Sequence, residues 1–271
     1  MRAVVVTGAS SGIGAACARH LAARGFRVYG GVRREEDAER LRSQGVEPLP
    51  LDVTDLEQIA AATATVGDEL YGLVNNAGVA IAAPLELVPL DELRRQLEVN
   101  VIGQVAVTQA LLPALRRAQG RIVLMGSIGG KSALPFMGPY ASSKFALEAI
   151  ADSLRVELRT FGVSVSIVEP GSIKTPIWTK GTERADELRT RLAPEQQELY
   201  GRSIERFREV AIARGLAGIG PEEVARAVER ALTAERPKAR YLVGKDARLR
   251  RRLERLPVRL RDRLIERALT R

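Results

Sequence analysis

The sequence predicts one α/β domain built on a doubly wound parallel sheet, and three observations carry that expectation. Apolar strand-type runs alternate strictly with helix-type segments along most of the chain. A glycine-rich turn joins the first strand-type run to the first helix-type segment. The 271 residues suffice for one large domain with a filled core, and neither an internal repeat nor a low-complexity linker divides them.

The elements follow in order. Val4, Val5 and Val6 read as a buried strand, and residues 13–23 as the first helix. Strands at 27–29, 47–51, 72–74, 121–125 and 163–168 alternate with helices at 35–43, 55–65, 90–117 and 139–160. Residues 175–220 break the alternation. They read as one or two helices rich in Arg and Glu, either a solvated insertion or a lid over a substrate. Their position after a strand favours the lid. Pro221 opens another helix and 240–243 form a last strand. The expected division is therefore a domain over 1–243 and a helical, basic tail over 244–271.

Composition limits the function classes. Hydrophobic residues make up 45% and charged residues 28%, as in a soluble globular protein. No apolar run is long enough to span a bilayer, and Met1 leads almost directly into the first strand without a leader-type stretch. The single cysteine, Cys17, cannot form an internal disulfide. Together these features lead us to expect a cytoplasmic setting. The net charge of +9 is local: residues 244–271 hold eleven Lys/Arg against four Asp/Glu, a net +7, which leaves +2 for the rest.

The segment Thr7-Gly8-Ala9-Ser10-Ser11-Gly12-Ile13-Gly14 is the first candidate site. Gly8 permits a tight turn, Gly12 lets backbone approach a pyrophosphate, and Gly14 lets the helix pack on the strand. The helix N-terminus then offers free N–H groups to phosphates. A glycine-rich turn in any strand-to-helix link is the bland reading, but the βαβ context supports a Rossmann-type dinucleotide site. The second strand is followed by Arg33 and Arg34, where an NAD site would place a carboxylate. An arginine there pairs with the 2′-phosphate of NADP, so NADP(H) is favoured over NAD(H). The alternative is a pair of surface arginines answering Glu35, Glu36 and Asp37.

Tyr140 and Lys144 stand four apart at the start of a helix, on one face. A free phenol, with a pKa near about 10, is too weak an acid for efficient proton transfer at neutral pH. A neighbouring ammonium is expected to lower it. The glycine loop, Asn75-Asn76-Ala77-Gly78, Asn100, Ser127, Tyr140 with Lys144, and Pro170-Gly171, in this order, resemble the short-chain dehydrogenase/reductase family over residues 4–175.

That resemblance implies roles for individual residues. Tyr140 would be the general acid/base at the substrate oxygen, Lys144 would depress its pKa and bind the nicotinamide ribose, and Ser127 would orient the same oxygen. Asn100 would hold a water in a proton relay. Asp52 and the Val53 backbone would meet the adenine, while Asn76, Ala77 and Gly78 would line its ribose. Beyond Pro170 and Gly171, Ile173 and Thr175 would grip the carboxamide. Each residue taken alone has a structural reading: Asn100 as a helix kink, Ser127 as a turn serine, Asp52 as part of a helix start. Some NADP-preferring relatives carry a basic residue before the middle glycine, where this chain has Ser11.

Val79, Ile128, Leu134, Phe136 and Trp178 are the expected substrate pocket, which is mostly apolar and suits a lipophilic carbonyl compound or alcohol. Ordinary loop packing is the alternative. Segments around 73–79, 152–155 and 168–171 look most similar to the steroid and retinol dehydrogenase branch. Other readings are a 3-oxoacyl reductase-type enzyme of the same family, or a non-catalytic NADP-sensing protein. No metal site is expected. Relatives commonly pair through long helices, so the resemblance implies a homodimer or homotetramer. The tail carries Leu249, Leu253, Leu256, Leu260, Leu264 and Leu269 amid arginines. It suits packing on its own domain or on a partner subunit, or peripheral contact with an anionic membrane. Nucleic acid is disfavoured, because no reader motif or aromatic interleaving accompanies the charge. His20 and Cys17 read as packing residues.

Overall fold

A computed structural model describes residues 1–190 and 192–270, without the side chains of residues 180, 182, 188, 189 and 268–270. The expected packing of Leu269 therefore lies outside the described residues. Seven parallel strands form one sheet in the order β3-β2-β1-β4-β5-β6-β7. They are β1 (Ala3–Val6), β2 (Arg27–Val32), β3 (Glu47–Pro50), β4 (Gly72–Asn75), β5 (Arg121–Met125), β6 (Ser164–Pro170) and β7 (Arg240–Val243). Strand order reverses between β1 and β4, which is where such sheets bind ligands beyond their carboxyl ends.

The helices α1 (Gly12–Ala23), α2 (Glu35–Arg42), α3 (Leu56–Val66), α4 (Leu90–Leu97), α5 (Gly103–Arg117), α6 (Gly138–Glu157) and α9 (Pro221–Thr233) cover the two faces. Alternate strand residues feed two cores. Val4, Val6 and Val74 pack with Leu21, Val228 and Leu232 on one side, while Val5, Leu73 and Ile122 pack with Leu111, Leu115 and Leu147 on the other. Burial on both faces explains why these strands are apolar throughout. Cys17 sits fully inside the first core, where burial pushes its thiol up to about 12.

Three features add detail to the expected outline. The helix expected over 90–117 is present and carries within it a π-helical turn at Glu98–Ile102, between α4 and α5. Residues 175–220 form two helices, α7 (Ile177–Arg189) and α8 (Pro194–Ala217), closed at their base by the backbone bonds Ile219 N to Ser172 O and Lys174 N to Ile219 O. Past residue 243 the chain does not leave the domain. In α10 (Lys245–Leu253), Ala247 is fully buried and the Asp246 carboxylate accepts from Ser172 N at 2.6 Å. α11 (Val258–Thr270) follows, with Val258, Leu260 and Leu264 exposed. Among the described residues, no helix is long and apolar enough to cross a membrane.

Candidate active site

The carboxyl ends of the strands open into one cleft of about 1190 Å³, walled on its far side by residues of α7 and α8. At one end lies the glycine turn. Gly8 and Gly12 take left-handed φ values of 64° and 56°, where a side chain would be strained. A Cβ on Gly14 would stand 2.2 Å from Gly8 O and 2.4 Å from the Asn76 amide nitrogen, so that position requires glycine. Ser11 caps α1 without a side-chain hydrogen bond, and no acid occupies the first turn, so the helix start presents its N–H groups to an anion. Asn76 braces the turn by donating from Nδ2 to Thr7 O at 2.9 Å and to Gly8 O at 3.2 Å. Thr7 Oγ1 in turn accepts from Asn76 N and Ala77 N, both at 2.9 Å. Open backbone geometry and a helix start free of acids fit a dinucleotide pyrophosphate. Ser10, Ile13, Gly78, Val53, Pro170, Gly171 and Ile173 line the same cleft, and Thr175 lies over Gly12.

The two arginines after β2 separate. Arg33 lines the cleft and reaches Asp52 Oδ2 at 3.4 Å. Burial would raise the Asp52 carboxyl, but hydrogen bonds from Thr54 and the Arg33 charge hold it below its usual range. Arg34 does not join the cleft; its guanidinium pairs with buried Asp37 at 3.1 Å. The surface reading therefore holds for Arg34, because Asp37, three residues on along α2, draws it away. Sequence reasoning missed Arg40, which donates to Ser10 O at 2.8 Å and also binds Asp37. Its one signal was a place on the same face of α2 as Asp37.

At the other end, β5 delivers Met125, Gly126 and Ser127, and the first turns of α6 deliver Tyr140 and Lys144. Pro139 occupies the first turn of α6, where a missing N–H costs nothing. Ser127 stands in extended backbone, its Oγ accepting from Gly129 N at 3.0 Å. Lys144 is buried and donates from Nζ to Met125 O at 2.8 Å, with Nζ 5.7 Å from the centre of the Tyr140 ring. Desolvation pushes the Lys144 amine down to about 8. Contrary to expectation, the Tyr140 phenol stands above its ordinary value: burial raises it more than hydrogen bonding from Ser127 and the charge of Arg250 lower it. Helical spacing brings the ammonium near, but its proton is given to a carbonyl.

Asn100 lies within the π-helical turn and is fully buried. Its amide donates to Val79 O at 3.0 Å and Ser143 Oγ at 3.1 Å, and accepts from Val79 N at 2.8 Å. The side chain thus holds the strand β4 exit against α6, both of its amide protons being used and its oxygen accepting one bond. Val79, Ile128, Leu134, Phe136 and Trp178 all line the cleft. The Phe136 ring is 5.5 Å from that of Phe207 in α8, and Trp178 donates to Ile173 O at 2.8 Å. Arg214 of α8 and Arg250 of α10 also line the cleft; the sequence reading assigned neither. His20 stands elsewhere, bonded to Glu229 at 2.7 Å.

This arrangement matches known proteins. The family model described as short chain dehydrogenase matches residues 2–186. The chain belongs to the short-chain dehydrogenase family. Human retinol dehydrogenase 16 is 40% identical to this short-chain dehydrogenase over 264 residues, covering 91% of this chain and 81% of the relative. An NADPH-dependent 3-dehydrocapnine reductase from Ornithobacterium rhinotracheale is 39% identical over 257 residues, covering 90% and 88%. A short chain dehydrogenase from Burkholderia cenocepacia J2315, solved in complex with NADP, superposes with a TM-score of 0.71 at 30% identity, covering 92% of each chain. This short-chain dehydrogenase is therefore an oxidoreductase of small-molecule alcohols and carbonyl compounds, similar to the steroid and retinol branch, with a nicotinamide dinucleotide as cofactor.

Proposed function

We propose that the protein is an NADP(H)-dependent reductase or dehydrogenase that interconverts a lipophilic ketone and secondary alcohol, or an aldehyde and primary alcohol. The observation that carries this reading is convergence: Ser127, Tyr140 and Lys144 meet in the same cleft as the glycine turn and Arg33. When bound, the nicotinamide supplies or accepts the hydride. In the reducing direction Ser127 holds the substrate oxygen, and Tyr140 gives that oxygen its proton as the carbonyl carbon takes the hydride. The raised phenol keeps its proton at neutral pH, so Tyr140 carries the proton for this step although it is a weaker donor than a free phenol. Lys144 keeps a positive charge at the cleft floor while the phenol is deprotonated. Asn100 acts by position, fixing Val79 and the hydroxyl of Ser143 behind Tyr140. Arg33 takes the 2′-phosphate of NADP, drawing on a guanidinium whose link to Asp52 is a single bond.

The test is a panel of aldehydes, ketones and secondary alcohols, each with NADPH/NADP+ and NADH/NAD+, followed by nicotinamide absorbance. Turnover of lipophilic members with the phosphorylated cofactor is expected. A purified, folded protein that binds NADPH yet turns over none of them would leave the non-catalytic reading standing.

A further inference from the structure

At the substrate end of the cleft two cations, Arg214 and Arg250, have no carboxylate within ion-pair distance among the described residues. Arg250 is carried inward because α10 is pinned at its first turn, Asp246 to Ser172 N, and its Nη2 donates to Ser132 O at 2.5 Å. Its Nε is buried with no hydrogen-bond partner. Arg214 lines the same cleft from α8 and, among the described residues, has no carboxylate within ion-pair distance. Three of the acids around the two arginines are bonded elsewhere, Asp246 to Ser172, Glu254 to Arg261 at 2.9 Å and Asp186 to Arg208 at 3.2 Å, while Glu183 lines the cleft without an ion pair to either. Arg250 is held below its ordinary range by desolvation first and by Arg214 second, which outweigh the opposite pull of Asp246 and Glu254, so the two guanidiniums feel each other. A buried N–H left bare and a like-charged neighbour both cost stability. A ligand oxyanion would relieve both at once, since a guanidinium presents its Nε and Nη protons as a fork that fits a carboxylate.

The geometry points to an anion subsite formed by Arg250 and Arg214, so that the substrate is a carbonyl compound or alcohol bearing a carboxylate or similar oxyanion on an otherwise apolar body. This rests on the oxidoreductase reading above and narrows its substrate class. Leu134, Phe136 and Trp178 of the same cleft suit the apolar body, and Arg214 and Arg250 suit the oxyanion. The tail then contributes a specificity residue rather than an appendage.

Trp178 is the one tryptophan in the chain and lines the cleft, so its fluorescence reports binding directly. The probes are 4-formylbenzoate and 3-(4-formylphenyl)propanoate, each against its methyl ester, titrated into the NADP+-saturated full-length protein. At least one acid should bind about tenfold or more tighter than its ester, the scale of a charged hydrogen bond. Arg214→Gln and Arg250→Gln should each weaken the acid and leave the acid-to-ester ratio near unity, while Arg250→Lys should restore part of it. Equal binding of acid and ester by the unaltered protein would overturn the proposal, as would equal weakening of both in the Gln variants, the mark of a merely structural role. Turnover of the same probes with NADPH is scored separately. If no probe is reduced, the oxidoreductase reading is in question, while the binding ratios still decide the anion subsite.

Discussion

Arg33 and Arg34 are adjacent and chemically identical, yet one faces the cleft and the other is held by Asp37. No reading of the dipeptide alone could separate them; the direction of each side chain is set by the turn into α2. Arg33→Asp should therefore shift the kcat/KM ratio from NADPH toward NADH by at least about tenfold, the loss of one charge-assisted bond. An unchanged ratio would remove the 2′-phosphate contact. The Tyr140–Lys144 pair shows a different limit. Its spacing was legible, but the direction of the phenol shift was not, because burial is a property of the folded cleft.

Burial of Lys144 also makes a stability prediction. Its amine falls from 10.5 unfolded to about 8 folded. Below about 8 both states hold the proton, and the full cost of burying the cation is present. Between about 8 and 10.5 the unfolded chain binds more protons, so stability rises with pH and the cost disappears. At about 1.36 kcal/mol per unit the cost is roughly 3 kcal/mol. Lys144→Met should thus be more stable than the parent in urea at pH 7, by roughly 2 kcal/mol after losing the bond to Met125 O. The advantage should shrink toward pH 10. A difference independent of pH would show that the amine is not desolvated.

At the scale of elements, the order of strands and helices could be read from apolar periodicity because the sheet is buried on both faces. The π-helical turn at 98–102 could not be read, since one wider turn leaves the apolar face of the flanking helices nearly in line. It is nonetheless the turn that carries Asn100 to Val79 and Ser143. The glycine turn was legible down to individual positions. Gly14→Ala would drive a methyl against Gly8 O and the Asn76 amide, opening the brace between β1 and β4. We expect it to cost about 1–3 kcal/mol of stability and to weaken NADPH binding in titration. An alanine variant with parental melting temperature and affinity would contradict that geometry. Packing of the tail on its own domain was among the expected readings, but its arginines look alike in sequence, so which of them would turn inward was not legible. Only the Asp246 anchor decides which of them, Arg250, turns inward.

Over the whole molecule, the doubly wound sheet divides the labour. The half built on β1, β2 and β3 presents the glycine turn and Arg33, and the half built on β4, β5 and β6 presents Ser127, Tyr140 and Lys144. Residues of α7, α8 and α10 complete the lining of the cleft. On the proposed reading, the pyrophosphate and 2′-phosphate contacts lie on the first half and the proton donor on the second, while Lys144 and the segment after β6 serve the nicotinamide end. Tyr140→Phe removes one hydroxyl from the second half and leaves the first intact. The most direct measurement is the rate of NADPH oxidation by Tyr140→Phe with a carbonyl substrate that the parent reduces, alongside NADPH affinity by fluorescence. The rate should fall by about 10²–10⁴-fold with affinity changed little. Turnover within a few-fold of the parent would contradict the assignment of Tyr140 as the proton donor.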